Sequence, residues 1–361
     1  MAQPLTKPTP IDEAAAEAFA DRIAGALNDG AVAVMLSVGH RTGLFDVMAK
    51  LPPSTSARIA KAAELAERYV REWLAVMVTG RIATYDPARG LYALPAEHAA
   101  CLTRSGSSNL AVYAQAVAMM GACQDTVLER FESGAGTRYG DYPCFHQFMS
   151  EDSDQTVVGP LFDILLPLAA DLPARLEAGI DVLDAGCHHG HALTAMAQRF
   201  PGSRFTGYDL CDEAIADARK HAAAAGASNL HFETRDLTWF DEQGAYDFVT
   251  TFDAVHDQKD PQDFMRRLHR ALRPGGIYLM QDIGGSARLE NNMDFPMASF
   301  LYAISCFHCT PISLGQGGVG LGTMWGWETA QAMLKEAGFH NVERHVLPHD
   351  PMNVWFVSRK Q

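Results

Sequence analysis

Ile180-Asp181-Val182-Leu183-Asp184 is an apolar run that ends in a carboxylate and passes directly into Ala185-Gly186-Cys187-His188-His189-Gly190-His191. A helix pattern follows from Ala192 to Phe200, with Leu193, Met196 and Ala197 on its apolar side. No other stretch constrains the fold as strongly. A strand, a glycine-bearing turn and a helix in that order place backbone N–H groups, and the positive end of a helix dipole, at a strand's carboxyl end. Open α/β sheets bind ligands there. A second strand, Ser203 to Tyr208, closes on Asp209, at roughly the interval where an acidic residue after a nucleotide-binding turn meets ribose hydroxyls. Two acids ending consecutive strands can bracket an adenosine-bearing ligand.

The alternation continues. Cys211 to Gly226 reads as an Ala-rich helix, His231 to Arg235 as a strand leading to Asp236-Leu237, and Tyr246 to Asp253 as a fourth strand. Gln262 to Leu272 is a helix, Arg273-Pro274-Gly275-Gly276 a turn, and Ile277 to Ile283 a fifth strand. Strands alternating with helices predict a parallel sheet with right-handed crossovers. A last helix, Glu328 to Ala337, precedes strands at Asn341 to Leu347 and Met352 to Val357, which predict an antiparallel pair. Between the fifth strand and that helix, Gly284 to Gly322 is long for a connection. Its Met and aromatic residues lie at near-helical spacing, which predicts a helical start and is usually a core pattern. The run Gly315 to Gly322 predicts a mobile hinge rather than a phosphate loop, since no Gly-Lys-Ser/Thr follows.

Ahead of the first strand, Ile11 to Leu27 has Ala15, Phe19, Ile23 and Leu27 at helical spacing, with Asn28-Asp29-Gly30 as its end. Ala31 to Val38 predicts a buried helix. Helices from Ser54-Thr55-Ser56 and over Ala66 to Val78, then a hairpin from Arg81 to Leu94, suggest a winged helix. DNA binding is one reading of such a unit, but the helix from Ala66 to Met77 has few basic residues and much apolar surface. Asn109 to Glu129 predicts a long helix and Asp154 to Leu168 a helical stretch interrupted by Pro160 and Pro167. Between them lies Arg138 to Met149, dense in aromatic residues and equally suited to a substrate pocket or a packed core.

At 361 residues and 48% apolar content the chain can build two cores. A formal charge of -14 argues against a general nucleic-acid binder. Seven cysteines without a repeated CxxC suit reduced thiols better than a disulfide framework. Cys306-Phe307-His308-Cys309 could be half of a metal or redox site, but no second pair completes a tetrahedron, so the thiols are expected to be buried or pocket-lining and no metal is expected. Met1 to Pro10 reads as a loose polar lead. No signal-like stretch and no run near the roughly 20 apolar residues of a membrane span is evident, which predicts a soluble, cytoplasmic protein without membrane partners.

Through Asp184, Gly186 and Gly190, and through the helix, Arg-Pro-Gly-Gly turn and strand of 262–283, the chain resembles class I S-adenosylmethionine (SAM)-dependent methyltransferases. In that family an acidic residue precedes a G-x-G-x-G turn; His188 stands at the middle glycine here. The front half is similar to the amino-terminal dimerisation domain of small-molecule O-methyltransferases. The resemblance implies an α/β fold: a Rossmann-like class I methyltransferase domain, its sheet mostly parallel with an antiparallel C-terminal hairpin, preceded by a mainly helical winged-helix-like domain. The implied layout is a dimerisation domain over 1–105, a helical connector contributing to the substrate pocket over 106–170, and a SAM-binding domain over 171–361 with a lid at 284–322.

It further implies that Asp184, Gly186, Cys187, Gly190, Asp209, Leu210, Asp236, Leu237 and Phe252 hold SAM, although Asp236 could be a helix cap alone. Tyr139, Tyr142, Phe145, His146, Met149, Phe300, Phe307 and His308 would face a small organic acceptor. His256-Asp257 falls where plant-type O-methyltransferases place a His-Asp pair whose imidazole takes the acceptor's proton, with Gln258 in place of the usual Trp. His256 could instead only orient the substrate. A homodimer that binds no nucleic acid is implied. Oxygen is the favoured acceptor atom. Transfer to sulfur or nitrogen without a base, a SAM-sensing winged-helix regulator, and a fold kept without methyl transfer all stay open, and the acceptor itself is not named by the sequence.

Overall fold

The computed structural model of the chain describes residues 11–361 except Ser107 and Cys144, so the lead expected over Met1 to Pro10 lies outside the described residues. The chain divides into two compact units at Ala118/Met119.

The front unit opens on helix α1 (Glu13–Arg41), capped by the Asp12 carboxylate, which accepts from the Ala15 N–H at 3.1 Å. This helix runs through Asn28-Asp29-Gly30, where an end was expected. Gly30 keeps a right-handed φ, and a helical glycine costs only about 1 kcal/mol. Packing of the carboxyl-terminal turns, where Ser37, Gly39 and His40 are buried, outweighs that cost. The expected burial of Ala31 to Val38 holds for one face only, since Val34 and Val38 are exposed. By length and composition α1 is also apolar enough to cross a membrane, with a mean hydropathy of 1.2 in its most apolar stretch, contrary to the expectation that no run approaches that length.

Helices α2 (Leu44–Lys50), α3 (Ser56–Ala63) and α4 (Glu67–Thr79) follow. Thr55 caps α3 by accepting from the Arg58 N–H at 3.3 Å. The spacing of Val70, Trp73, Leu74 and Met77 puts one face of α4 into the core, where the Trp73 indole donates to the Met35 carbonyl at 2.9 Å. Strands β1 (Thr84–Asp86) and β2 (Leu91–Ala93) form the expected antiparallel hairpin, and a short helix α5 (Ala96–Ala99) comes next. The helix expected over Asn109 to Glu129 is realised as a tight turn, Leu110–Val112, and helix α6 (Ala114–Ser133).

In the rear unit, helix α7 (Phe145–Ser153) leads into two wide helical turns, Asp154–Val158 and Leu161–Leu165, separated at Pro160. Helix α8 (Leu172–Ala178) delivers the chain to strand β3 (Asp181–Ala185). Helix α9 (His191–Arg199), strand β4 (Arg204–Asp209), helix α10 (Asp212–Ala224), strand β5 (Leu230–Thr234) and strand β6 (Tyr246–Phe252) continue the alternation. Then come helix α11 (Pro261–Ala271), strand β7 (Leu272–Ile283), helices α12 (Ala298–Ile304), α13 (Thr310–Gly315) and α14 (Trp327–Glu336), and strands β8 (His340–Leu347) and β9 (Asp350–Arg359).

The strands form one sheet in the order β5-β4-β3-β6-β7-β9-β8, parallel except for β9, which runs antiparallel to both of its neighbours. Successive residues point to opposite faces and both faces are covered. Val182, Phe248 and Leu279 pack in one core with α8, α9 and α10, while Leu183, Val249 and Met280 pack in another with α11 and α14.

Arg273-Pro274-Gly275-Gly276, expected as a turn before the strand, lies within β7. Pairing with β6 jumps from Tyr246–Leu272 to Phe248–Ile277, so these residues bulge outward, with Gly275 at φ +74°. The glycine run expected to be a hinge is hydrogen-bonded instead: Val319 N–H donates to the Lys259 carbonyl at 3.2 Å and Gly320 N–H to the Ser313 hydroxyl at 3.1 Å.

Candidate active site

From β3 the chain moves to β4 and β5 on one side, and β6 and β7 lie on the other. A reversal of this kind opens a crevice at the carboxyl ends of the two central strands. The turn after β3 fills its floor. Gly186 and Gly190 have φ of +89° and +65°, and a Cβ on Gly186 would lie 2.7 Å from that of Ala254. The N–H groups of Gly186 and Cys187 both donate to the Tyr208 carbonyl, at 2.8 and 3.0 Å, tying the turn to β4. His188, at the middle-glycine position, takes the left-handed backbone conformation itself, with φ +48°.

Three acids surround this turn. Asp184, 2% exposed, accepts from the Thr250 hydroxyl at 2.8 Å, and burial pushes its pKa up to about 7. Asp209 accepts from the N–H groups of His188 and Cys211, both at 2.9 Å; burial raises its pKa, and these backbone donors oppose the rise. Asp236 does act as a cap, accepting from the Thr238 N–H at 2.9 Å, and it also lines the cavity.

All nine residues expected to hold the cofactor line one cavity of the rear unit: Asp184, Gly186, Cys187, Gly190, Asp209, Leu210, Asp236, Leu237 and Phe252. Of those expected to face the acceptor, Tyr139, Phe145, His146 and Met149 line it too, whereas Tyr142, Phe300, Phe307 and His308 do not. The Tyr142 hydroxyl is buried and donates to the Phe307 carbonyl at 2.7 Å. His308 stacks on the Phe145 ring at 4.0 Å, behind the wall, and Phe300 packs beside Ile283, Leu301 and Met324.

Of the pair after β6, Asp257 reaches the cavity and His256 does not. His256 is 1% exposed. Its Nδ1 meets Asp282 Oδ1 at 2.8 Å, an oxygen that also accepts from the Trp325 indole at 2.8 Å, and its Nε2 stands 3.3 Å from Asp257 Oδ1. Burial works against an imidazolium here, but the charges of Asp282 and Asp257 win and hold the pKa well above the ordinary histidine value. A histidine already protonated cannot accept a proton. Asp257, whose pKa burial raises to about 6 against the pull of His256, remains as the ionisable member of the pair that faces the cavity.

On the other wall, sequence reasoning named His146 and His188 but missed that they pair. His146 Nδ1 and His188 Nε2 are hydrogen-bonded across 2.9 Å, and the His188 ring stacks on His189 at 4.1 Å. Burial holds His188 well below the usual histidine range, so it is neutral. The signal was present, because a side chain replacing a turn glycine must point somewhere and the aromatic segment contains a histidine to receive it.

A glycine turn at the switch point of a mostly parallel sheet, flanked by acid-ended strands, defines a Rossmann-like domain of the methyltransferase class. Residues 176–338 match a family model described as a methyltransferase domain, and residues 30–104 one described as an Rv2258c-like winged HTH domain. The chain therefore joins a winged helix-turn-helix domain to a methyltransferase domain. Among curated relatives, the ubiquinone biosynthesis O-methyltransferase of Pseudomonas paraeruginosa is 35% identical over 107 residues, covering 29% of this chain and 45% of the relative. The match thus spans less than half of that relative's length.

Two solved structures share the fold across both domains. Human N-acetylserotonin methyltransferase, solved in complex with SAM, is 16% identical with a TM-score of 0.67, covering 98% of this chain and 99% of its own. The mitomycin 7-O-methyltransferase is 19% identical with a TM-score of 0.64, covering 96% and 99%.

Proposed function

We propose that the chain is a SAM-dependent methyltransferase acting on a small organic acceptor, with oxygen the favoured acceptor atom. The observation that carries this reading is the convergence of Asp184, Asp209 and Asp236 on one cavity at the sheet's switch point, around a turn whose glycines take positive φ and pack closely on Ala254 and Phe232. These residues suit SAM. Asp209 fixes the turn through its N–H groups and keeps lone pairs for hydroxyls, and Asp184 puts a buried carboxylate under the turn.

SAM supplies a methyl group on a sulfonium, already activated, so the protein's tasks are alignment and removal of the acceptor's proton. Asp257 is placed to take that proton, with His256 behind it as a fixed positive charge and Asp282 holding His256 in orientation. Tyr139, Phe145 and Met149 offer an apolar wall to the acceptor. His256 is thereby a positioning residue in this reading, and Asp257 the catalytic one.

The exposed stripe Phe19, Ile23 and Leu27 on α1, at i, i+4 spacing, supports a homodimer through the front unit. DNA reading by α4 gains no support, because Arg68 and Arg71 pair with Glu72 and Glu67 on the same helix. The free thiols among the described residues support a cytoplasmic setting. The test is turnover of methyl-labelled SAM with hydroxyl acceptors, beside calorimetry with S-adenosylhomocysteine. Asp257→Asn is expected to keep product affinity and lose turnover at least 100-fold, within the range that a lost acid–base group costs, about 10²–10⁴. Turnover surviving in that variant would move the acceptor atom to sulfur or nitrogen.

A further inference from the structure

The turn Ser305–Cys309 and the loop after β6 bring three metal-ligating side chains together, with His308 beside them. The donor atoms of His256, Asp257 and Cys309 lie within 4.8 Å of one another, and all three residues are buried. His256 Nε2 is 3.3 Å from Asp257 Oδ1. His308 Nδ1 is 3.6 Å from Cys309 Sγ and 3.9 Å from Asp257 Oδ2. Zinc bonds of about 2.0–2.1 Å to nitrogen or oxygen and about 2.3 Å to sulfur give tetrahedral edges of about 3.3 Å between N and O ligands and about 3.6 Å between N and S ligands. The His256–Asp257 and His308–Cys309 separations match those edges, and the His308–Asp257 separation, to the other carboxylate oxygen, is longer.

The surroundings fit a metal as well. His256 presents Nε2 because its Nδ1 is engaged by Asp282, the arrangement in which a carboxylate orients a ligating histidine. The Thr323 hydroxyl donates to Cys309 Sγ at 3.0 Å. Asp257 Oδ1 is buried without a hydrogen-bond partner. Cys306-Phe307-His308-Cys309 supplies half of a tetrahedron, and His256-Asp257, some fifty positions earlier in the chain, supplies the other half.

We infer that His256 Nε2, the Asp257 carboxylate and Cys309 Sγ bind a borderline-soft divalent transition ion of the zinc type, with His308 Nδ1 as the fourth ligand. The site clips the insertion after β7 to the loop after β6. It does not depend on the methyltransferase reading. With the ion bound, Asp257 is a ligand and cannot take the acceptor's proton, so the proton transfer proposed above belongs to the ion-free chain. The second histidine cluster, His146, His188 and His189, is the poorer candidate. The His188 and His189 rings lie nearly parallel, at 25° and 4.1 Å, and one ion cannot lie in both ring planes.

The test is titration of the full chain, after chelator treatment, with cobalt(II) chloride, read by absorbance and by equilibrium metal content. The expected result is one ion per chain, tetrahedral visible bands and a near-ultraviolet thiolate-to-cobalt charge-transfer band that is displaced by zinc. Cys309→Ser loses the charge-transfer band, and His308→Ala weakens binding at least tenfold, while Cys123→Ser keeps both. Protection of the Cys309 thiol from alkylation by zinc in the unmutated chain gives a readout that no folding defect can mimic. No saturable cobalt binding, or a charge-transfer band that survives Cys309→Ser and vanishes in Cys211→Ser, would overturn the assignment.

Discussion

The two ends of the central sheet treat the same residue type in opposite ways. At the amino ends, Asp181 opens β3 beside two guanidinium groups: Arg204 Nε at 2.7 Å and Arg273 Nη2 at 2.8 Å. Burial alone would raise its pKa, yet these partners lower it. Three residues along the same strand, Asp184 has only a hydroxyl partner, and burial carries its pKa to about 7. Asp209 and Asp257 at the same end are raised too. A fold spends its arginines where charge must be neutralised for stability. The carboxyl ends, left short of cations, have their carboxylates poised for a ligand, and such concentrations of perturbed acids mark functional sites.

The largest effect that would sharpen this contrast concerns the acid at the carboxyl ends that stands nearest a cation. Asp282 is fully buried against His256. Replacing one member of a buried pair strands the other, so Asp282→Ala should destabilise by about 3–5 kcal/mol in guanidinium unfolding. A loss below about 1 kcal/mol would mean that His256 is not held as a cation.

Next in size is the pH dependence of Asp184. Its pKa rises from 3.8 to about 7 on folding. Between those values the folded state holds a proton that the unfolded state has released, so stability is full below pH about 4 and falls as pH rises toward 7. Asp184→Asn should flatten this slope in thermal melts of the ligand-free chain. An identical slope in the variant and the parent would break the contrast.

The smallest effect belongs to the amino ends. Arg204 is 76% exposed, and Arg204→Ala should cost no more than about 1 kcal/mol and become neutral at high salt.

What the sequence made legible follows from periodicity and local turn chemistry. The alternation from Ile180 to Ile283 and the glycine turn are local signals, so the parallel sheet and the acid-ended strands could be read from them, while the nine residues implied by the family resemblance line one cavity. Helix α1 was misread because Asn28-Asp29-Gly30 reads as a local stop, whereas the helix runs through it while exposed. Likewise the Arg273–Gly276 bulge reads as a turn until register with β6 is known. On the acceptor side, Tyr142 and His308 face each other at 4.7 Å behind the cavity wall instead of lining it. Which side of an irregular segment faces a cavity depends on contacts between residues 165 positions apart, such as Tyr142 with Phe307, and spacing carries no record of those.

The central claim is that acid-ended strands hold an adenosyl cofactor at the switch point. The direct measurement is calorimetric titration of S-adenosylhomocysteine into the parent chain and into Asp209→Asn. Saturable one-to-one binding to the parent is expected, weakened at least tenfold in the variant, as loss of a charged hydrogen-bond acceptor worth about 1.5–3 kcal/mol requires. Absence of binding to the parent, or equal affinity in the two chains, would contradict it.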